Sequence, residues 1–345
     1  MSSDPNDSAN NAAPSETAGS DTTRIDPAWT TTLANASLAA YTDFEDHTYQ
    51  PQLSGYTFID RFTGWDGWLF GYGRVERFGL IFKSQTVATR FVVAFRGTDS
   101  DSDALEDAFF DFSTFKPYRN SVSPTPDDVA SGFNGIYTTK GDCMKETMQQ
   151  QVFSKLQSQQ VTEVYITGHS LGGALSQLFT LDMRVSFPNL KIQTMNFASP
   201  RVGGSNWGKA CVAAGAAQRI TRVINTYDLV PKGPLSLDPW DQYVSLGAEF
   251  ETSFYGGYIP GDLLPRHRLL NLQYVLTKCL PLNPQIWVGT FDDAVNGNYK
   301  MQSTAPPSAS MDEVLAKLRE LNSLERSIRA STSRFEPLTQ SQVPR

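Results

Sequence analysis

Short apolar runs alternate along this chain with longer stretches in which apolar residues recur at helical spacing. Residues 164–166 have the length and composition of a buried strand. Directly after them Leu171, Ala174, Leu175, Leu178 and Phe179 share one helical face. Residues 78–82 and 91–95 read as strands joined by polar residues that can turn a hairpin. The second, Phe-Val-Val-Ala-Phe, is apolar throughout, which suits a strand covered on both faces. Met144, Met148, Val152 and Leu156 recur every four residues and predict a helix over 141–159. Strands follow at 191–197, 219–227 and 243–251, with an Ala-rich helix at 206–218. Residues 29–41 and the Leu-rich stretch after His267 are helical in spacing, whereas the Trp- and Gly-rich segment 64–73 reads as irregular. Alternating strands and helices imply βαβ units, hence an α/β fold with a mainly parallel sheet flanked by helices.

The ends of the chain differ from its middle. Residues 1–26 are rich in Ser, Asp, Asn, Ala and Thr, without a basic segment and apolar core of a signal peptide, and read as a disordered tail. One domain is expected over 27–280, then an irregular linker over 281–309. Residues 310–330 predict an amphipathic C-terminal helix: Ser310 and Glu313 fit a capping box, and Met311, Val314, Leu318, Leu321 and Ile328 form a stripe. A second disordered tail is expected over 331–345. No apolar stretch is long enough to span a bilayer, so a cytoplasmic protein is expected. The formal net charge of −7 argues against a nucleic-acid partner, which calls for a basic face. Cys143, Cys211 and Cys279 are odd in number and widely spaced; buried free thiols are expected rather than disulfides or a zinc site.

The chemistry centres on Gly168-His169-Ser170-Leu171-Gly172, which fits G-x-S-x-G between the predicted strand and helix. A strand turning straight into a helix strains the corner residue, and its neighbours two before and two after must be small. The bend presents the Ser170 hydroxyl at a helix start, where free N–H groups favour negative charge. A serine attacks only when a base takes its proton. Three histidines are available. His47 lies far upstream in a polar segment, and His169 adjoins the serine and reads as scaffolding. His267, the one histidine downstream, remains. Where this bend occurs in hydrolases the order is Ser, acid, His, and candidate acids are Asp182, Asp228, Asp238, Asp241, Asp262, Glu249 and Glu251. Asp228 alone follows a convincing parallel strand. An oxyanion needs donors: Leu171 N–H supplies one, and Thr98 N–H, in the turn Arg96-Gly97-Thr98 at a strand's end, the other. Beyond it, Leu105, Ala108, Phe109 and Phe112 share a helical face on an acidic segment that reads either as a lid or as a surface helix buried permanently on one side. No metal or cofactor is required.

Four segments, residues 91–98, 168–173, 197–203 and 227–231, resemble the sequence marks of the class 3 lipases, the fungal lipase-like proteins. Gly132-Phe133 is similar to that family too, and the resemblance runs over about 33–276 in the family's order. It implies an α/β-hydrolase fold, Ser170, Asp228 and His267 as a triad, Thr98 and Leu171 as the oxyanion hole, and a lid near 100–112. Implied with it is a carboxylic ester hydrolase, first a triacylglycerol lipase working at a lipid–water interface. A phospholipase A1, galactolipase or feruloyl esterase is the alternative, and a silent hydrolase fold serving as an interaction module is a third. Arg-Leu-Leu-Asn-Leu after His267 lacks the Glu-Tyr-Trp-like continuation common in the family.

Overall fold

The computed structural model of the chain describes residues 27–67, 73–98, 111–225, 228–234, 243–254, 267–270, 272–273, 276 and 287–288. Among them, one eight-stranded sheet organises everything else. Its strands are Tyr56–Asp66 (β1), Arg74–Ser84 (β2), Arg90–Phe95 (β3), Glu163–His169 (β6), Lys191–Phe197 (β7), Ile220–Asn225 (β8), Ala248–Phe254 (β9) and Trp287–Val288 (β10), in that spatial order. β1, β2 and β3 pair antiparallel; from β3 to β10 every pairing is parallel. Two further short strands, Phe112–Ser113 (β4) and Val129–Ala130 (β5), pair with each other.

Helices cover both faces. On one side lies Pro27–Glu45 (α1), with Leu269, Leu272 and Leu276 beside it in the same apolar cluster. On the other lie Ser131–Thr138 (α2), Met148–Gln157 (α3), Leu171–Ser186 (α4) and Ser205–Ala213 (α5). β3 shows why the sheet must be covered twice: Phe91, Val93 and Phe95 pack into one cluster, Val92 and Ala94 into the other. Side-chain bonds tie α1 down as well. Ser37 Oγ lies 3.0 Å from Thr167 Oγ1, which also donates to the Leu33 carbonyl at 3.2 Å. No helix among the described residues is long and apolar enough to cross a membrane.

Several elements differ from their expected form. Residues Gly64 to Asp66, expected to be irregular, are the end of β1, which the hydrophobic pattern does not mark. Its pairing with β2 slips between Phe58 and Asp60 and again between Phe62 and Thr63. The first slip adds Ile59 to β1 and transfers the side chains after it to the opposite face, which breaks the period of two; the second adds Phe78 to β2. α2 was hidden by its length of eight residues and its two glycines. α3 begins seven residues later than its methionines suggest, because Thr147 and Gln150 close a capping box there. β9 starts at Ala248, since Gly247 takes a left-handed φ of 85° and separates it from buried Tyr243 and Leu246. β10 falls within the stretch expected to be a linker. Cys143 is exposed rather than buried; Cys211 is buried and free, as expected. The expected tails and C-terminal helix, and Cys279, lie outside the described residues.

Candidate active site

Parallel pairing brings two strand ends together. Phe95 on β3 stands opposite Gly168 on β6, so the turn 96–98 and the bend at His169 and Ser170 leave the sheet as neighbours. Parallel α/β sheets gather ligand-facing groups at this carboxyl edge. Ser170 carries the cost of the bend, with φ 57° and ψ −127°. Its N–H donates to the Phe197 carbonyl at 3.0 Å, and the residue is 2 % exposed. The flanking glycines follow from contact distances. A Cβ on Gly168 would lie 2.1 Å from the Gly172 carbonyl oxygen, and one on Gly172 would lie 2.5 Å from that of Phe95. Leu171 opens α4, so its N–H has no acceptor within the helix.

Asp228 follows β8 and is buried, at 2 % exposed. Its Oδ1 accepts from the Val230 N–H at 3.0 Å, which turns Oδ2 outward to meet His267 Nδ1 at 2.7 Å. An ionised carboxylate only accepts, so Nδ1 carries the proton and Nε2 keeps a lone pair. That Nε2 is buried and bonds to no group among the described residues, Ser170 Oγ included. The His267 ring centroid lies 4.7 Å from that of His169, the residue beside Ser170.

Residues 92–237 match the family model described as Lipase (class 3). This part of the chain is similar to the class 3 lipases. Among curated proteins, the chain is 31 % identical over 161 residues to a lipase of Rhizopus niveus, covering 45 % of this chain and 37 % of that protein. It is 31 % identical over 109 residues to the chloroplastic phospholipase A(1) DAD1 of Arabidopsis thaliana, covering 31 % of this chain and 24 % of that protein. The chain thus spans well under half the length of these relatives. The nonglycosylated LIP2 lipase of Yarrowia lipolytica superposes with a TM-score of 0.52 at 19 % identity, covering 66 % of this chain and 81 % of that one. The fold is that of the α/β-hydrolases.

The structure draws Asp228 and His267 together and sets Gly97, the residue before Thr98, against the bend at Ser170. The expected lid fares differently. Leu105, Ala108 and Phe109 lie outside the described residues, and Phe112 sits on no helical face. It is half-buried in β4, opposite Ala130, with its ring 5.1 Å from that of Tyr243. Strand pairing across two residues leaves no periodic trace in a sequence.

The structure gives His169, read from sequence as scaffolding, its bonds, and gives Arg222 a place that pattern alone passed over. His169 Nε2 lies 2.7 Å from the His267 carbonyl, and its Nδ1 2.8 Å from the Tyr41 hydroxyl. A carbonyl cannot donate, so Nε2 carries the proton and Tyr41 donates to Nδ1. Burial, then the neighbouring His267, holds the His169 pKa well below the ordinary histidine value, which keeps the ring neutral. Arg222, buried behind the site, donates to the carbonyls of Ser199 and Pro231 and pairs with Glu249 at 2.9 Å. It thereby joins the loops after β7 and β8. His47 is exposed, far from this cluster in the chain. Among the described residues no three His, Cys, Asp or Glu side chains come together as a metal site.

Proposed function

We propose that the chain is a serine carboxylic ester hydrolase acting on acyl glycerols through an acyl-enzyme at Ser170. The observation that carries the reading is the buried Nε2 of His267, left with a lone pair by the bond from Nδ1 to Asp228 and without a partner among the described residues. Ser170 Oγ attacks the ester carbonyl carbon while Nε2 takes its proton, and Asp228 stabilises the imidazolium that forms. The tetrahedral oxyanion rests on the N–H groups of Thr98 and Leu171. The imidazolium then protonates the departing alcohol. Water, deprotonated by the same nitrogen, cleaves the acyl-enzyme and releases the carboxylic acid with Ser170 restored.

Triacylglycerol is the first substrate, and the Rhizopus relative is a lipase. The Arabidopsis relative supports a phospholipase A1-type substrate as the second reading. Ser170→Ala should lower p-nitrophenyl ester turnover by about 1000-fold or more with an unchanged circular dichroism spectrum. Retained turnover would rule out Ser170 as the nucleophile. Side-by-side assays on triacylglycerol, phosphatidylcholine, a galactolipid and a feruloyl ester then fix the substrate class. Activity on the feruloyl ester alone excludes a lipid substrate.

A further inference from the structure

Arg96 is the first residue past β3, and β3 runs between β2 and β6. Its guanidinium is 2 % exposed, and two of its nitrogens bond to residues of β2. Nε donates to the Arg77 carbonyl at 2.7 Å, Nη2 pairs with the Glu76 carboxylate, and Nη1 donates to the Gly97 carbonyl at 2.6 Å. The rings of Phe44 and Phe78 approach the guanidinium carbon at 3.7 and 4.4 Å. A planar fork with all three nitrogens engaged between two rings has little freedom to rotate.

The peptide joining Gly97 to Thr98 is planar and trans, so its C=O and N–H point in opposite directions. A carbonyl drawn toward β2 turns the Thr98 N–H toward β6, and the end of β6 leads into Ser170. The two turns also touch. A Cβ on Gly97 would lie 2.6 Å from the His169 carbonyl oxygen and 3.0 Å from Ser170 Cβ, so this position must be glycine. Glycine normally gives a turn the freedom to rotate its peptide plane. Something else must hold this one.

We propose that Arg96 is the positioning residue of the oxyanion-binding turn, holding the Gly97 carbonyl so that the Thr98 N–H is aimed at Ser170 before substrate arrives. The inference rests on the ester hydrolase reading and deepens it. Stability alone is a weak reason for such a residue, because buried ion pairs are often replaced by apolar side chains at little cost. A donor already aimed at the developing charge, by contrast, needs no reorganisation at the moment of reaction.

The test uses Arg96→Met, which keeps bulk and removes every donor, and Arg96→Lys, which keeps the charge but offers a single point donor instead of a fork. Active sites are titrated with a fluorophosphonate, so that turnover is counted per competent site. Inhibition is measured with a long-chain alkyl trifluoromethyl ketone, to which Ser170 Oγ adds reversibly, leaving the former carbonyl oxygen as an anion in the hole. In Arg96→Met, per-site kcat should fall about tenfold or more and Ki rise by a similar factor, with KM unchanged. Arg96→Lys should lie between this variant and the wild type. If Arg96→Met does not fold, Arg96→Lys carries the same comparison. Unchanged per-site kcat and Ki, with all loss traced to fewer titratable sites, would overturn the role of Arg96 while leaving the hydrolase reading intact. A wild-type chain that neither hydrolyses esters nor takes the label overturns both.

Discussion

His169 must be an Nε2–H tautomer to bond both Tyr41 and the His267 carbonyl, and its depressed pKa keeps it so. The residue beside Ser170 therefore steadies the backbone of His267, the proposed base, without competing for its proton. His169→Phe would fill the space and lose both bonds. Per-site kcat on p-nitrophenyl esters is expected to fall about tenfold to 100-fold, the usual consequence of a small displacement of a reacting group. An unchanged per-site kcat would mean that other contacts hold His267. The hydroxyl, carboxylate and imidazole were readable in sequence because each stands at the end of a recognisable strand or opens a helical stretch. The bond from His169 to His267 was not, since it joins positions 98 residues apart and depends on the fold to bring them together.

α5 begins at Gly204, a capping position with no side chain to offer. Asp128, in the chain segment entering β5, takes over that task. Its Oδ2 accepts from the Asn206 N–H at 2.7 Å and its Oδ1 from the Trp207 N–H at 2.6 Å. Asp128→Ala should destabilise the protein by about 1–2 kcal/mol in urea titration, with per-site kcat unaffected. A loss of kcat without loss of stability would contradict a purely capping role. Legibility among the elements followed the same physics. Regular spacing revealed β3, β6 and α4, whose side chains meet neighbours on every side. Slipped register concealed β1, and short length concealed α2 and β4. The capping box that starts α3 was present in Thr147 and Gln150, but the run of methionines masked it.

For the molecule as a whole, Asp182 is one buried group through which pH reaches stability, and His169 acts with the opposite sign. Its carboxylate accepts from Tyr118 N–H at 2.6 Å, Gln149 Nε2 at 2.6 Å, Ser186 Oγ at 3.0 Å and the Tyr137 hydroxyl at 3.1 Å, joining α2, α3, α4 and the loop after β4. Burial raises its pKa from 3.8 to about 6, against the opposing pull of those four donors. Between pH ~4 and ~6 the folded chain thus holds a proton that the unfolded chain has released, so stability falls as pH rises through this window. The contribution lost is on the order of 3 kcal/mol. Asp182→Asn should remove it: urea midpoints compared from pH 4 to 7 should decline less steeply than in the wild type. An identical slope would assign the titration to another group. Arg96 carries a different consequence at this scale. Its fork, its two rings and Glu76 lie on the flank of β3 away from Ser170, and the guanidinium is sealed from solvent. An incoming ester never meets them. If the Thr98 amide receives the negative charge as proposed, the rim can accordingly be recut to admit a new acid or head group, by natural drift or by hand, without retuning that amide.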